Sequence, residues 1–252
     1  MKKIISMFVI LSSILSCSDK EDSPIGLSSD ILITHITINY ANNTDYSKSF
    51  NYENGNELSS TVDSNENREY YTYEGDFVTK IEIDYKDPKF SNERFFTYDA
   101  TGRLIQEITL YDYNSVGTKT VFTYNTNGTI NYTTYSGNLT TQNTLSIQGT
   151  YTLDSAGQIL TNAYTDANAI STVLSYTYDS KNASHLNIKD GSKGFKYIFG
   201  GINNTKTHKF VRSGMEIYSY SSDFEYNSNN YPVSEHKTEN GGLTWILYTY
   251  NK

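Results

Sequence analysis

Catalysis and metal binding require certain residue types at certain intervals, and this chain offers few such groupings. Its four histidines, His35, His185, His208 and His236, lie far apart, without the short spacings of a metal ligand set. Glu235-His236 lacks the second histidine of a zinc helix, and no Gly-x-Ser-x-Gly nucleophile elbow occurs. Asp63-Ser64-Asn65-Glu66-Asn67 begins like a calcium loop, but Arg68 stands where the sharp turn needs glycine, so a polar hairpin tip is expected. Gly200-Gly201-Ile202-Asn203-Asn204-Thr205-Lys206-Thr207 approaches a phosphate loop, yet Thr205 replaces its second glycine and no helix follows to supply anion donors. No enzyme activity, metal or cofactor is therefore expected.

One segment stands out by charge. Residues 181–212 carry Lys181, Lys189, Lys193, Lys196, Lys206, Lys209 and Arg212 against Asp190 alone. In an acidic chain, such asymmetry focuses an electrostatic field on an anionic partner. Read as a strand, the segment puts Lys206, His208, Phe210 and Arg212 on one face. The candidate ligand-binding residues are thus Lys193, Lys196, Lys206, His208, Lys209, Phe210 and Arg212. The competing expectation is a solvated edge strand, where lysine discourages sheet-to-sheet pairing.

The elements that would position these residues repeat. Phe96-Thr97-Tyr98-Asp99-Ala100-Thr101-Gly102-Arg103-Leu104 returns as Phe122-Thr123-Tyr124-Asn125-Thr126-Asn127-Gly128-Thr129-Ile130, and again from Tyr151 to Ile159. Weaker copies are anchored at Tyr52, Tyr73, Tyr178, Tyr226 and Tyr250, with a period of about 25 residues. A copy is missing between Tyr178 and Tyr226. Asp or Asn followed three residues later by Gly describes a type I turn whose last position needs φ > 0, as in a hairpin with a G1 bulge. Gly102, Gly128 and Gly157 hold that position, with Asn182 and Asn230 as the tolerated substitutes. Between turns the period is two: Ile81, Ile83 and Tyr85 alternate with Lys80, Glu82 and Asp84, and Leu243, Trp245 and Leu247 share a face. The expectation is an all-β, antiparallel meander of hairpins, roughly 14 to 18 strands, curled or closed into a barrel-like or porin-like sheet. The repeat-anchored tyrosines are expected to pack across strands with their hydroxyls at the wet edge, or to offer faces for sugars.

The N-terminus reads as an address. Lys2 and Lys3 precede an apolar stretch from Ile4 to Leu15, too short to span a bilayer as a helix. Ile14-Leu15-Ser16-Cys17 follows, and Cys17 is the only cysteine. This resembles the lipobox of bacterial lipoproteins, which implies cleavage before Cys17 and its lipidation. The expected organisation is a signal peptide at 1–16, lipidated Cys17 with a flexible tether at 17–30, and one repeat domain at 31–252. Loss of 1–16 removes two lysines and no acid, so the formal charge moves from −8 to −10. That balance disfavours nucleic acid as a partner.

The Phe96–Leu104 phrase closely resembles the unit of the YD (RHS) repeat family, and the likeness extends over about residues 48–251. Large members wind such repeats into a shell around a cargo, for which this chain has too few copies. It is more similar to small YD-type lipoproteins of uncharacterised function. The resemblance implies a fold and an outer-membrane location, and supplies no active site. The acidic cluster Asp19, Glu21 and Asp22 resembles the surface-export signal of some Gram-negative lipoproteins, which implies exposure at the cell surface, or is a solvated spacer. Together these features point to a non-catalytic binding module for an anionic or neutral glycan. The rival is a structural or assembly partner of another envelope protein, with the membrane reached through the lipid on Cys17.

Overall fold

The computed structural model describes residues 30–40, 45–190, 197–239 and 241–252. Cys17, the signal and most of the tether lie outside the described residues, as do Lys193 and Lys196. The first eight strands are β1 (Ile33–Tyr40), β2 (Tyr46–Glu53), β3 (Glu57–Asp63), β4 (Arg68–Glu74), β5 (Phe77–Asp84), β6 (Asn92–Tyr98), β7 (Leu104–Tyr111) and β8 (Val116–Tyr124). The rest are β9 (Ile130–Asn138), β10 (Gln142–Leu153), β11 (Ile159–Asp166), β12 (Ser171–Asn182), β13 (Asn203–Arg212), β14 (Met215–Tyr226), β15 (Pro232–Glu239) and β16 (Gly242–Tyr250). Each pairs antiparallel with its sequence neighbours, and β1 pairs with β16, so sixteen strands close into a barrel. The wall has no edge strand.

The repeat phrase forms the expected hairpin. At Asp99–Gly102 the Gly102 N–H donates to the Asp99 carbonyl at 2.9 Å, and Asp99 Oδ1 accepts from the N–H groups of Thr101 and Arg103 at 2.9 and 3.0 Å. Gly102, Gly128, Gly157 and Asn230 have φ of 80°, 83°, 86° and 64°. The Asp99 and Asn125 N–H groups donate to the Arg103 and Thr129 carbonyls, each at 2.9 Å, which closes the bulge a type I turn needs to match strand twist. Beyond the Asp99 turn the register slips again, Thr97 facing Gln106 but Tyr98 facing Leu104, whereas β8 and β9 pair without a slip. Asn182 departs from the expectation. It is the last residue of β12, pairs with Asn203, and has no positive φ. No hairpin forms there because the chain continues from β12 into a long connection, residues 183–202.

The repeated tyrosine has a more specific role than packing. Tyr98 donates its hydroxyl to the Val78 carbonyl at 2.9 Å, Tyr124 to Leu104 at 3.0 Å, and Tyr178 to Ile159 at 2.6 Å. Tyr52 and Tyr250 reach Ile33 and Pro232 in the same way, each at 2.8 Å. In each case the acceptor is the first or second residue of the strand that receives it. The bulge frees that carbonyl, and the hydroxyl satisfies it. Burial, first among the causes, raises the pKa of Tyr124 to about 12, so it remains a donor.

Alternation sorts the wall into two faces. Inward lie Leu58, Val78, Ile81, Phe96, Leu104, Phe122, Ile130 and Tyr151, all buried. Outward lie Lys80, Glu82 and Glu93, joined by ion pairs of 3.0 and 2.5 Å. The repeat turns all sit at one end, where residues 183–190 and 197–202 of the connection turn into the lumen. Its Tyr197 packs on Phe122 with ring centroids 5.4 Å apart, its Phe199 on Tyr71 at 5.6 Å, and its Ile188 is 4% exposed. Polar ties hold it. Lys189 donates through its N–H to the Asn56 carbonyl at 2.9 Å and through Nζ to Glu57 at 2.7 Å. Gln158 Oε1 accepts from the N–H groups of Ile202 and Asn203 at 3.0 and 2.8 Å.

Candidate functional site

The basic segment does not converge on one surface. Lys189, at the plugged end, is paired with Glu57 at 2.7 Å and Asp76 at 3.3 Å. Lys206 meets Asp223 at 2.8 Å, Lys209 meets Glu216 at 2.7 Å, and Arg212 meets Asp166 at 3.4 Å. Lys181 donates to Asn230 Oδ1 at 2.7 Å. Three of the four residues expected on one face do share it: His208, Phe210 and Arg212 pair with inward Tyr176, Leu174 and Thr172. Lys206 does not. The register slips between Thr177–Thr207 and Tyr178–Thr205, and this bulge turns Lys206 outward toward Asp223. Nor is β13 an edge strand, because β12 and β14 pair with it on either side.

His208 lies within an aromatic cluster on the lumen wall. Its ring stacks on Tyr176 at 4.9 Å and approaches Tyr220 and Tyr218 at 5.3 and 5.7 Å. Its Nδ1 is buried and has no hydrogen-bond partner among the described residues. Burial, and then the Lys237 ammonium, push its pKa down, so the imidazole is neutral.

Two of the concavities have linings suited to a ligand. The first is a trough of about 490 Å³ across the outside of β9–β12. Its floor is the backbone of Tyr132, Gly149, Tyr164 and Thr172, which pair in one row; the side chains of Tyr132, Tyr164 and Thr172 point inward. One bank is the row Asn131, Thr150, Ala163 and Val173; the other is Thr133, Gln148, Thr165 and Ser171. Every residue of the floor and banks is uncharged, and Thr150 Oγ1 already bonds Asn131 Oδ1 at 3.0 Å. The row behind it is fixed by Gly149: a Cβ there would stand 2.5 Å from the Tyr132 ring. That ring stacks on Tyr151 at 4.8 Å and donates its hydroxyl to Asn162 Oδ1 at 2.8 Å.

The second concavity is the lumen between the connection and the open end. A cavity of about 280 Å³ has a largely apolar floor that includes Phe50, Leu58, Ile198 and Phe199, below Lys48, Glu69 and Arg94. Another of about 280 Å³ shares Lys48 and Glu69 and extends past Asp63 to Asn65 and Asn67 at the mouth. Glu69 Oε2 accepts from Lys48 Nζ at 2.8 Å, Thr61 Oγ1 at 2.9 Å and the Tyr71 hydroxyl at 2.6 Å. Burial by itself would raise the Glu69 pKa; Lys48 and the hydroxyl donors outweigh it and hold the carboxyl below its ordinary value. Arg94 Nε meets Glu107 at 2.8 Å. Among the described residues, no three His, Cys, Asp or Glu side chains are placed to hold a metal ion.

Sequence reasoning missed both concavities. Lys48, Glu69 and Arg94 are too far apart in sequence to form a motif, and consecutive strand pairing from β2 to β6 is what brings them together. The trough residues looked like ordinary outward strand positions.

No family profile and no curated protein matches the sequence. Among solved structures, the chain is similar to a porin-like protein from Bacteroides uniformis, with a TM-score of 0.51 at 10% identity over 87% of this chain and 96% of that one. It also aligns with the TcdB2–TccC3 complex at a TM-score of 0.28 and 11% identity, over 83% of this chain and 10% of that one. A β-barrel-like protein from Brucella abortus aligns at a TM-score of 0.19 and 9% identity, over 86% of this chain and 96% of that one. The first likeness shows the fold, an antiparallel barrel. The other two scores are too low to carry an argument.

Proposed function

We propose that this chain is a lipid-anchored, non-catalytic binding module of the bacterial envelope whose outer trough takes a neutral glycan. The observation that carries this reading is the chemistry of the trough: hydroxyls, amides and small apolar groups without a charge, on a chain of formal charge −8. Neutral sugars are bound by such donors and acceptors over a shaped floor, whereas a charged wall would impose desolvation without a counter-charge. The ion pairs of Lys189, Lys206, Lys209 and Arg212 favour this site over an anion site at residues 189–212. The outward faces favour attachment through Cys17 over insertion of the barrel itself. They carry Lys80, Glu82, Glu93 and Lys209 at strand positions where a spanning barrel has its apolar band.

The chain with Cys17→Ser, titrated with neutral and anionic polysaccharides at two salt concentrations, tests the reading. Binding to a neutral polymer, insensitive to salt and lost in Thr150→Arg, is expected. Binding only to anionic polymers, weakening with salt, would return the site to the basic segment. A second reading, an assembly partner, is favoured by one observation: Leu243, Trp245 and Leu247 line the outside of β16 at 41%, 44% and 45% exposure. Binding to no polysaccharide, with crosslinking of β16 to an envelope protein in intact cells, would establish it.

A further inference from the structure

The lumen cavity differs from the trough in chemistry and stands apart from the glycan reading. Its floor is largely apolar, formed by inward Phe50 and Leu58 and, from the connection, Ile198 and Phe199. Above that floor is a collar of paired charges whose hydrogen-bonding capacity is unequal. The carboxylates are heavily used: Glu69 accepts from Lys48, Thr61 and Tyr71, and Glu107 accepts from Arg94, Thr109 and Tyr197. The cations are not. Among the described residues, Lys48 spends one of its three donors, on Glu69, and Arg94 spends its Nε, one of five, on Glu107. The unspent capacity of the collar is therefore mostly donor capacity, which matches an anionic, acceptor-only head group.

We propose that this cavity binds a short alkyl carboxylate, its head between Lys48 and Arg94 and its chain against the floor of Phe50, Leu58, Ile198 and Phe199. The mouth at Asn65 and Asn67 is the route of entry. Ile198 and Phe199, from the connection that interrupts the repeat, thereby supply part of the bottom of a binding site.

Calorimetric titration of the Cys17→Ser chain with octanoate, decanoate and decanol, without detergent, tests this on the unaltered lumen. Decanoate is expected to bind about tenfold more tightly than octanoate, since two further methylenes are buried. Decanol, which has the chain but not the charge, is expected to bind at least tenfold more weakly than decanoate. Lys48→Gln should bring decanoate close to decanol, and Ile198→Trp should fill the floor and abolish binding of both. No decanoate binding, equal binding of decanol, or no dependence on chain length would each overturn the proposal. The ligand series needs no variant to fold, and polysaccharide binding at the trough is read separately.

Discussion

At Gly128 a substitution isolates backbone geometry, because a Cβ there meets nothing within 4 Å while φ is +83°. Gly128→Val should cost about 1–2 kcal/mol in denaturant unfolding, since a β-branched residue must enter the left-handed region. An unchanged midpoint would refute the bulged turn. Tyr124→Phe leaves the Leu104 carbonyl without its donor and should cost about 1 kcal/mol, whereas Tyr70→Phe, at 41% exposure on the outer face, should cost little. His185 provides a pH test. Burial, and then the Lys48 charge, lower its pKa to about 4 from 6.5, so the unfolded chain takes up the proton first. The resulting stability is complete above pH 6.5 and is lost as pH falls toward 4. The loss is on the order of 3 kcal/mol, and His185→Phe should flatten that slope in urea melts at successive pH values. At this scale the turn glycines were legible, because only one backbone conformation explains Asp-x-x-Gly at repeat spacing. Asn182 was misleading for the same reason: Asp179-Ser180-Lys181-Asn182 copies the pattern, but the chain runs on instead of turning back.

Among the elements, the strands were readable and the 183–202 connection was not. Alternation placed Ile81 and Ile83 together, and Leu243, Trp245 and Leu247 together, because a half-buried wall imposes a period of two. It failed at Lys206, where a bulge reverses the faces without a glycine to mark it. The connection has no period, and its partners Asn56, Glu57, Tyr71 and Phe122 are remote in sequence. Its sequence signals were the missing repeat between Tyr178 and Tyr226 and the basic charge of residues 181–212, neither of which places it in space. If the connection is part of the core, Phe199→Ala should destabilise by about 2–3 kcal/mol. Leu243→Ala on the outer face should stay within about 0.5 kcal/mol. Equal effects in thermal or denaturant melts would mean that the connection does not pack inside the wall.

For the whole molecule, the repeat count foretold the width of the sheet and left its closure open, because the β1–β16 pairing joins the two ends of the sequence without a turn between them. Closure turns one sheet face into a lumen and the other into an outer surface, and both proposed sites depend on that sorting. Cysteines at Thr37 and Leu247, which face each other across the seam, test it directly in a Cys17→Ser chain that has no other thiol. The native monomer should form an intramolecular disulfide in Thr37→Cys/Leu247→Cys and none in Thr37→Cys/Leu243→Cys, where the second position lies four residues further along β16. Failure of the first pair to crosslink in the folded monomer, or equal crosslinking of both, would contradict the closed barrel.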